Sequence, residues 1–207
     1  MIELEWWVIL VAVAILVAGM NLMQTRGRIL RQKERVDQSW REIENRLLDR
    51  RNRIPALIKT LENHASSQNM AIDWVRNFAA AVRQAINRTD ISVIDPPERA
   101  KREDELSKRL RALIDLAGTY PDVMGNPEYR EALERLQVAT DHIKAAEADY
   151  NDNVRDYNER LKGFPNKQIA NVFGLKSSRP FRLKSTRWRA DDETGEDLQM
   201  HEFFARR

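Results

Sequence analysis

The sequence predicts an all-α protein in which an N-terminal transmembrane helix leads into a long antiparallel four-helix bundle with coiled-coil-like packing. Three observations predict it. Residues 6–23 form an unbroken apolar run, the apolar residues beyond it recur in steps of three and four, and the 207 residues include only seven glycines and seven prolines, with 32% charged. A sheet protein of this size needs more turns and more β-branched runs. The chain divides into an anchor over residues 1–25, a bundle over 26–175, and a basic, then acidic C-terminal tail over 176–207 that is expected to be flexible.

The apolar run carries no charge and one strongly polar side chain, Asn21. Its 18 residues would make a helix roughly 27 Å long, close to the hydrocarbon thickness of a bilayer. No Lys or Arg precedes it, which is unlike a cleaved signal peptide, so the anchor is expected to be retained. Arg26, Arg28, Arg31, Lys33 and Arg35 follow at once. The positive-inside rule therefore places the N-terminus outside and the bundle in the cytoplasm, with Trp6 and Trp7 at the outer interface.

Beyond the anchor, Ile29, Val36, Trp40, Ile43, Leu47, Ile54, Ile58, Leu61 and Ala65 share one helical register, with Lys33 and Arg50 as its polar members. The stripe stays in phase through Pro55, which predicts either one kinked helix or two nearly collinear ones. A second helix is predicted over about residues 70–87, burying Val75, Phe78, Val82 and Ile86. Residues 89–97 read as a loop. A third helix over about residues 98–117 carries Leu106, Leu110, Leu113 and Ala117 at the same spacing. Asn126, Pro127 and Glu128 together make a helix start, with a capping side chain, a first-position proline and an early acid. The fourth helix then carries Tyr129, Leu133, Leu136, Thr140, Ile143, Tyr150, Val154, Tyr157, Leu161 and Phe164. Sustained heptads of this kind pack knobs into holes. Four antiparallel helices return the chain to the side where it began, so the tail should emerge beside the inner leaflet.

Several chemistries are excluded or weakened. The absence of cysteine removes disulfides, thiolate metal sites and thiol nucleophiles. A net charge of +3, with acids and bases mixed along the chain, does not suggest nucleic-acid binding. His64, His142 and His201 lack the spacing of a zinc site, so no metal or other cofactor is expected. No glycine-rich phosphate loop, nucleophile elbow or conspicuous carboxylate pair is present, and no small-molecule substrate is evident.

Three features remain as candidates. If Ile29 faces Phe164, then Arg50 and Glu147, which fill gaps in the two apolar seams, stand about one helical turn apart. They could form an interhelical ion pair that fixes register, or reach solvent separately. Tyr150-Asn151 and Tyr157-Asn158 repeat at heptad spacing and share a face, as a ligand site or as core tyrosines whose hydroxyls reach a neighbour. In the tail, Lys176, Arg179, Arg182, Lys184, Arg187 and Arg189 gather around Phe181 and Trp188. Basic residues with aromatics near an anionic leaflet suit membrane-surface or partner binding. The acidic and aromatic end that follows suits a docking peptide for a protein partner.

The blocks RVDQSWREIENRLLDRRNRIPALIKTL over residues 35–61, TYPDVMGN over 119–126 and DYNDNVRDYNERLKGFP over 149–165 resemble the LemA family in order and spacing. The likeness covers roughly residues 1–181. It implies one N-terminal membrane helix and a cytoplasmic four-helix bundle in a bacterial inner membrane, and it implies no molecular activity. Two departures stand out: Glu147 where members usually carry a basic residue, and a segment after about Phe181 that looks like an extension. The expected function is a non-enzymatic membrane-anchored scaffold or adaptor that binds protein partners. The alternatives are an enzyme or enzyme subunit with a site concealed between helices, and a component of a membrane-remodelling or channel assembly.

Overall fold

The structure, a computed structural model, describes residues 2–67, 72–89 and 95–184. Among the described residues every regular element is a helix: α1 (Ile2–Ser67), α2 (Ile72–Thr89), α3 (Pro96–Gly118), α4 (Pro121–Gly125), α5 (Pro127–Arg160) and α6 (Asn166–Val172).

Helix α1 has 66 residues, which at 1.5 Å per residue is about 100 Å of rod. It contains two chemically different lengths. The side chains of residues 6–23 are all exposed, and among the described residues this is the one stretch long and apolar enough to cross a membrane. Burial begins at Ile29 and continues through Val36, Ile43, Leu47, Ile54, Ile58, Leu61 and Ala65. The stripe predicted from spacing is thus the stripe that is covered, with Trp40 half-buried on it. Leu57, one position off that stripe, is fully buried as well, because α1 packs on α2 as well as α5. Helix α1 runs unbroken through Pro55. Proline removes one backbone bond there, while Ile54, Leu57 and Ile58, each at most 1% exposed, hold that turn in place by packing.

Helices α1 and α5 run antiparallel. Ile29 to Leu47 share one apolar cluster with Ile143, Tyr150, Val154 and Tyr157, whereas Ile54 to Ala65 share another with Tyr129 and Leu136. Helices α2 and α3 pack on each other, and their Val75, Ala79, Val82, Leu106, Leu113 and Ala117 complete the second cluster. The short α4 bridges α3 and α5. Helix α5 begins as predicted: Asn126 Oδ1 accepts from the backbone N–H groups of Glu128 (2.8 Å) and Tyr129 (3.2 Å), with Pro127 in the first turn. Helix α3 starts at Pro96, earlier than its apolar spacing indicates. Pro96 and Pro97 carry no N–H, so two of the donors that a helix start normally leaves unsatisfied are absent.

Between the two clusters lies a polar layer, and here the sequence-based pairing is corrected. Arg50 does not meet Glu147. Its Nη2 donates to Glu103 Oε2 at 2.7 Å and its Nη1 to Ser107 Oγ at 3.0 Å, while Ser107 donates back to the Glu103 carbonyl at 2.8 Å. Both charged side chains of the pair are 3% exposed, and Arg99 Nε approaches Glu103 Oε1 at 3.3 Å. Three physical reasons explain the miss. Arg50 lines the same cavity as Thr140, which puts Glu147 about two helical turns, or ~10 Å, further along α5. The assumed anchor of the register, Phe164, lies beyond the end of α5 and is 87% exposed. Heptad position also fixes height along a rod and not which neighbour stands on that side, which for Arg50 is α3.

The pair is buried, and Arg50 Nε has no hydrogen-bond partner, so the interaction defines register more than it adds stability. Arg50→Ala alone is expected to cost about 3–5 kcal/mol, since it leaves Glu103 buried with a weakened counter-charge. The double change Arg50→Met with Glu103→Leu is expected to cost clearly less than that single change. Denaturant unfolding of the full chain in detergent, followed by near-ultraviolet circular dichroism, checks both.

Candidate functional site

The last three turns of α5 carry Tyr150, Asn151, Tyr157 and Asn158, and the structure shows what the repeat binds. After α6 the chain turns at Gly174, whose φ of 65° lies in the left-handed region. Leu175 N–H reaches the Ala170 carbonyl (2.9 Å) and Gly174 N–H the Asn171 carbonyl (3.4 Å), the paired bonds of a Schellman helix stop. Residues 175–183 then run back along α5 with no helix or strand of their own.

This strap is held through its main chain. Tyr157 Oη donates to the Lys176 carbonyl (3.1 Å) and Tyr150 Oη to the Arg179 carbonyl (2.8 Å). Asn158 Nδ2 donates to the Ser178 carbonyl (2.8 Å) while its Oδ1 accepts Ser178 N–H (2.9 Å). Asn151 does the same to Phe181, at 2.7 and 3.0 Å. Each tyrosine and each asparagine recurs after seven residues on the helix and there meets the strap three residues earlier, since the strap runs antiparallel to α5. The spacing fits, because seven helical residues rise ~10.5 Å and three extended residues span roughly 9–10 Å. Pro180 falls where no rung needs an N–H, and it favours an extended conformation for Arg179 before it.

Side chains add to this. Phe181 is fully buried and Leu183 nearly so. The Phe181 ring meets Trp40 edge-on at 5.5 Å, and Trp40 meets Tyr150 at 5.3 Å. Three carboxylates finish the seat: Glu147 Oε1 accepts Leu183 N–H (3.3 Å), Asp104 Oδ2 accepts Lys184 N–H (3.2 Å), and Asp95 pairs with Arg179 at 2.8 Å. Burial pushes the Tyr150 hydroxyl up to about 12, with the charges of Asp37 and Asp95 adding to the effect. Burial likewise raises Tyr157, helped by Asp37. Both therefore remain neutral donors well into alkaline solution. Burial also raises the Glu147 carboxyl, opposed by the Leu183 N–H; the Asp104 charge raises it further and Arg182 lowers it.

The tail residues singled out from sequence are thereby relocated. Residues 176–184 are a docked part of the helical body, not a flexible extension. Phe181 cannot enter a membrane, being buried on Trp40. Trp40 stands about 26 Å along α1 from Met23, where the apolar run ends, which is beyond the ~8–10 Å reach of screened charge. Arg179, Arg182 and Lys184 travel with it, Arg179 in an ion pair and Arg182 exposed. Lys176 alone stays near the start of the strap. Arg187, Trp188 and Arg189 lie outside the described residues. The backbone-reading role of Asn151 and Asn158 was not foreseen, although the Tyr-Asn repeat was its visible signal. Glu103 and Ser107 were missed too, and their spacing to Leu110 on the buried face of α3 was the signal available.

Among the described residues no group of three His, Asp or Glu side chains could hold a metal. A cavity of about 300 Å³ lies between α1, α3 and α5, lined by Arg50, Ser107, Gln137, Thr140, Asp141 and Lys144 with four apolar side chains. Its charges are internally matched: Lys144 pairs with Asp141 at 2.8 Å and Arg50 with Glu103.

These features define an all-helical protein with a long exposed apolar N-terminal helix and a self-docked strap. The LemA family model matches residues 39–193, and the chain belongs to the LemA family. The match continues past Phe181, so the segment read from sequence as an extension begins inside the family region. No protein of curated function matches the chain.

Asn158→Ala or Asn151→Ala removes two hydrogen bonds worth about 1 kcal/mol each. Amide exchange at Ser178 or Phe181 respectively is expected to accelerate roughly 10- to 100-fold, with the α1–α5 core unaffected, as read by hydrogen–deuterium exchange. For Glu147 the sign follows from its raised carboxyl. The folded state binds a proton more tightly than the unfolded, so stability falls as pH rises from the ordinary carboxylate value through the raised one. Glu147→Gln keeps an oxygen for Leu183 N–H and should raise the melting temperature at neutral pH. That gain should vanish in acid, below the ordinary carboxylate value, where both side chains are neutral.

Proposed function

We propose that the chain is a non-enzymatic, membrane-anchored helical scaffold or adaptor. In this reading α1, α2, α3 and α5 form an antiparallel four-helix bundle in the cytoplasm of a bacterium, and the first part of α1 crosses the inner membrane with its N-terminus outside. The observation that carries it is the exposure of residues 6–23, from Trp6 at 65% to Met23 at 75%, on a helix continuous with the folded body. An apolar surface of that extent is covered by something other than water, and its length of ~27 Å suits a bilayer. Because α1 does not break, anchor and body are one rod, which sets the height of each part of the body above the membrane. The body's faces are laced with short-range ion pairs such as Arg46–Glu42, Arg109–Glu105 and Arg135–Glu131, which suits a solvated surface offered to protein partners. The cavity beside Arg50 is where an enzyme reading would place its chemistry, and the charged side chains that line it, Arg50, Asp141 and Lys144, are engaged in ion pairs.

The absence of native cysteine makes the topology directly measurable. A single cysteine introduced at Glu3 is expected to react with an impermeant maleimide from outside intact cells, and one at Arg88 only after the membrane is opened. The full chain should also resist extraction by alkaline carbonate. Extraction by carbonate would overturn the anchor, and the opposite labelling pattern would overturn its orientation. Photo-crosslinkers at exposed positions of α5 test the adaptor role, which requires a discrete protein adduct in native membranes.

A further inference from the structure

The turn and short helix between α5 and the strap, residues 161–175, have a surface unlike the rest of the body. Among the described residues outside 6–23, the two most exposed large apolar side chains are Phe164 at 87% and Val172 at 79%, and Phe173 follows them at 49%. All three fall within ten residues of chain. They are not there to fill the core, since Ile169 and Ala170 on the other face of α6 do that.

Their position on α1 is defined. Arg26 lies over the Phe173 ring, with its guanidinium carbon 4.6 Å from the ring centre. Helix α6 packs on α1, and Ile169 joins Ile29 in one apolar cluster. Arg26 is only three residues past Met23, or about 4.5 Å, and the headgroup layer extends roughly 5–7 Å beyond the hydrocarbon on each side. Charge points the same way. The chain as a whole carries 35 basic and 32 acidic residues, yet residues 24–33 contain four basic and no acidic side chains, and residues 160–176 again four and none. Both stretches that meet at this height lack acid, and the second acid-free run continues from here through residue 190.

We infer that residues 161–175 are a second membrane contact, lying in the headgroup interface of the leaflet from which α1 emerges and dipping Phe164, Val172 and Phe173 to the acyl boundary. The inference rests on the anchor reading above and adds to it. The occupant is the lipid surface, because aromatic and apolar side chains flanked by basic residues match an anionic interface. The basic segment that touches the leaflet is thus this turn, and the strap leads away from it. Two attachments, one spanning and one lateral, fix the rotation of the body about α1, which a single span leaves free.

The test uses the full chain in vesicles of phosphatidylcholine and phosphatidylglycerol, with one nitroxide on a single introduced cysteine. Labels at residues 164 and 172 occupy exposed positions and leave the core intact. A label at Ala14 reports the span, and one at Arg135, an exposed position well along α5 from this turn, reports water. Collision with oxygen, which concentrates in lipid, is compared with collision with a water-soluble nickel chelate. The expected result is a ratio at 164 and 172 several-fold above that at 135 and approaching that at 14. A ratio at 164 and 172 equal to that at 135, with 14 in lipid, overturns this inference and leaves the anchor standing. Label–label broadening at 164 and 172 with both collision partners excluded also overturns it, in favour of a second copy of the chain. A label at 14 that reads as aqueous overturns the anchor and this contact together.

Discussion

An apolar stripe runs along α1 from Ile29 to Ala65 and must be covered over its whole length. At ~1.5 Å per residue that is more than 50 Å of rod, and the 34-residue α5, close to 50 Å itself, covers most of it in a single antiparallel pass. The other elements follow from that contact. The α2–α3 hairpin closes the distal half, where Leu57 needs cover in addition to the main stripe. Helix α6 and the strap close the half nearer the apolar run, where α5 carries tyrosines that leave polar groups to be satisfied. At the junction of the halves sits Arg50, with Glu103 and Ser107 around it. A buried polar layer of this sort tolerates only one vertical alignment of the three helices, because any slip strands a charge in hydrocarbon surroundings.

Much of this was legible in the order of residues, and the parts that were not share a cause. The stripe of α1 could be read position by position, since an amphipathic helix writes its buried face into the local spacing. The start of α5 could be read from Asn126, Pro127 and Glu128, because capping is a contact between near neighbours. Helices α4 and α6, of five and seven residues, are too short to display a period. Phe164 continued the heptad arithmetic past the point where the helix stops, and exposure, not spacing, shows where it stops. The partner of Arg50 depended on which helix stands beside it, a fact of assembly that no single helix records.

The strap is the clearest case. Its residues looked like a basic, aromatic tail, and two of its features, the charge and the ring of Phe181, suggested a membrane. What decides its place is a match of lengths between two different backbones, seven residues of helix against three of extended chain, expressed in contacts 19 to 30 residues apart in sequence. The Tyr-Asn repeat on α5 held half of that information. The other half is Gly174, whose left-handed turn sends the chain back along the helix it has just left.

A clamp that grips peptide groups does not inspect what those groups carry. Phe181 and Leu183 bury their side chains in the core and Leu175 packs part of its own against it, while Ser177, Arg179, Arg182 and Lys184 face away from it or lie at its edge. Apart from Arg179, which pairs with Asp95, the outward lettering of this ribbon can therefore be rewritten, from basic to acidic or from polar to greasy, with its stitching untouched. A protein that must meet different companions in different cells would have here a face to retune without refolding anything beneath it.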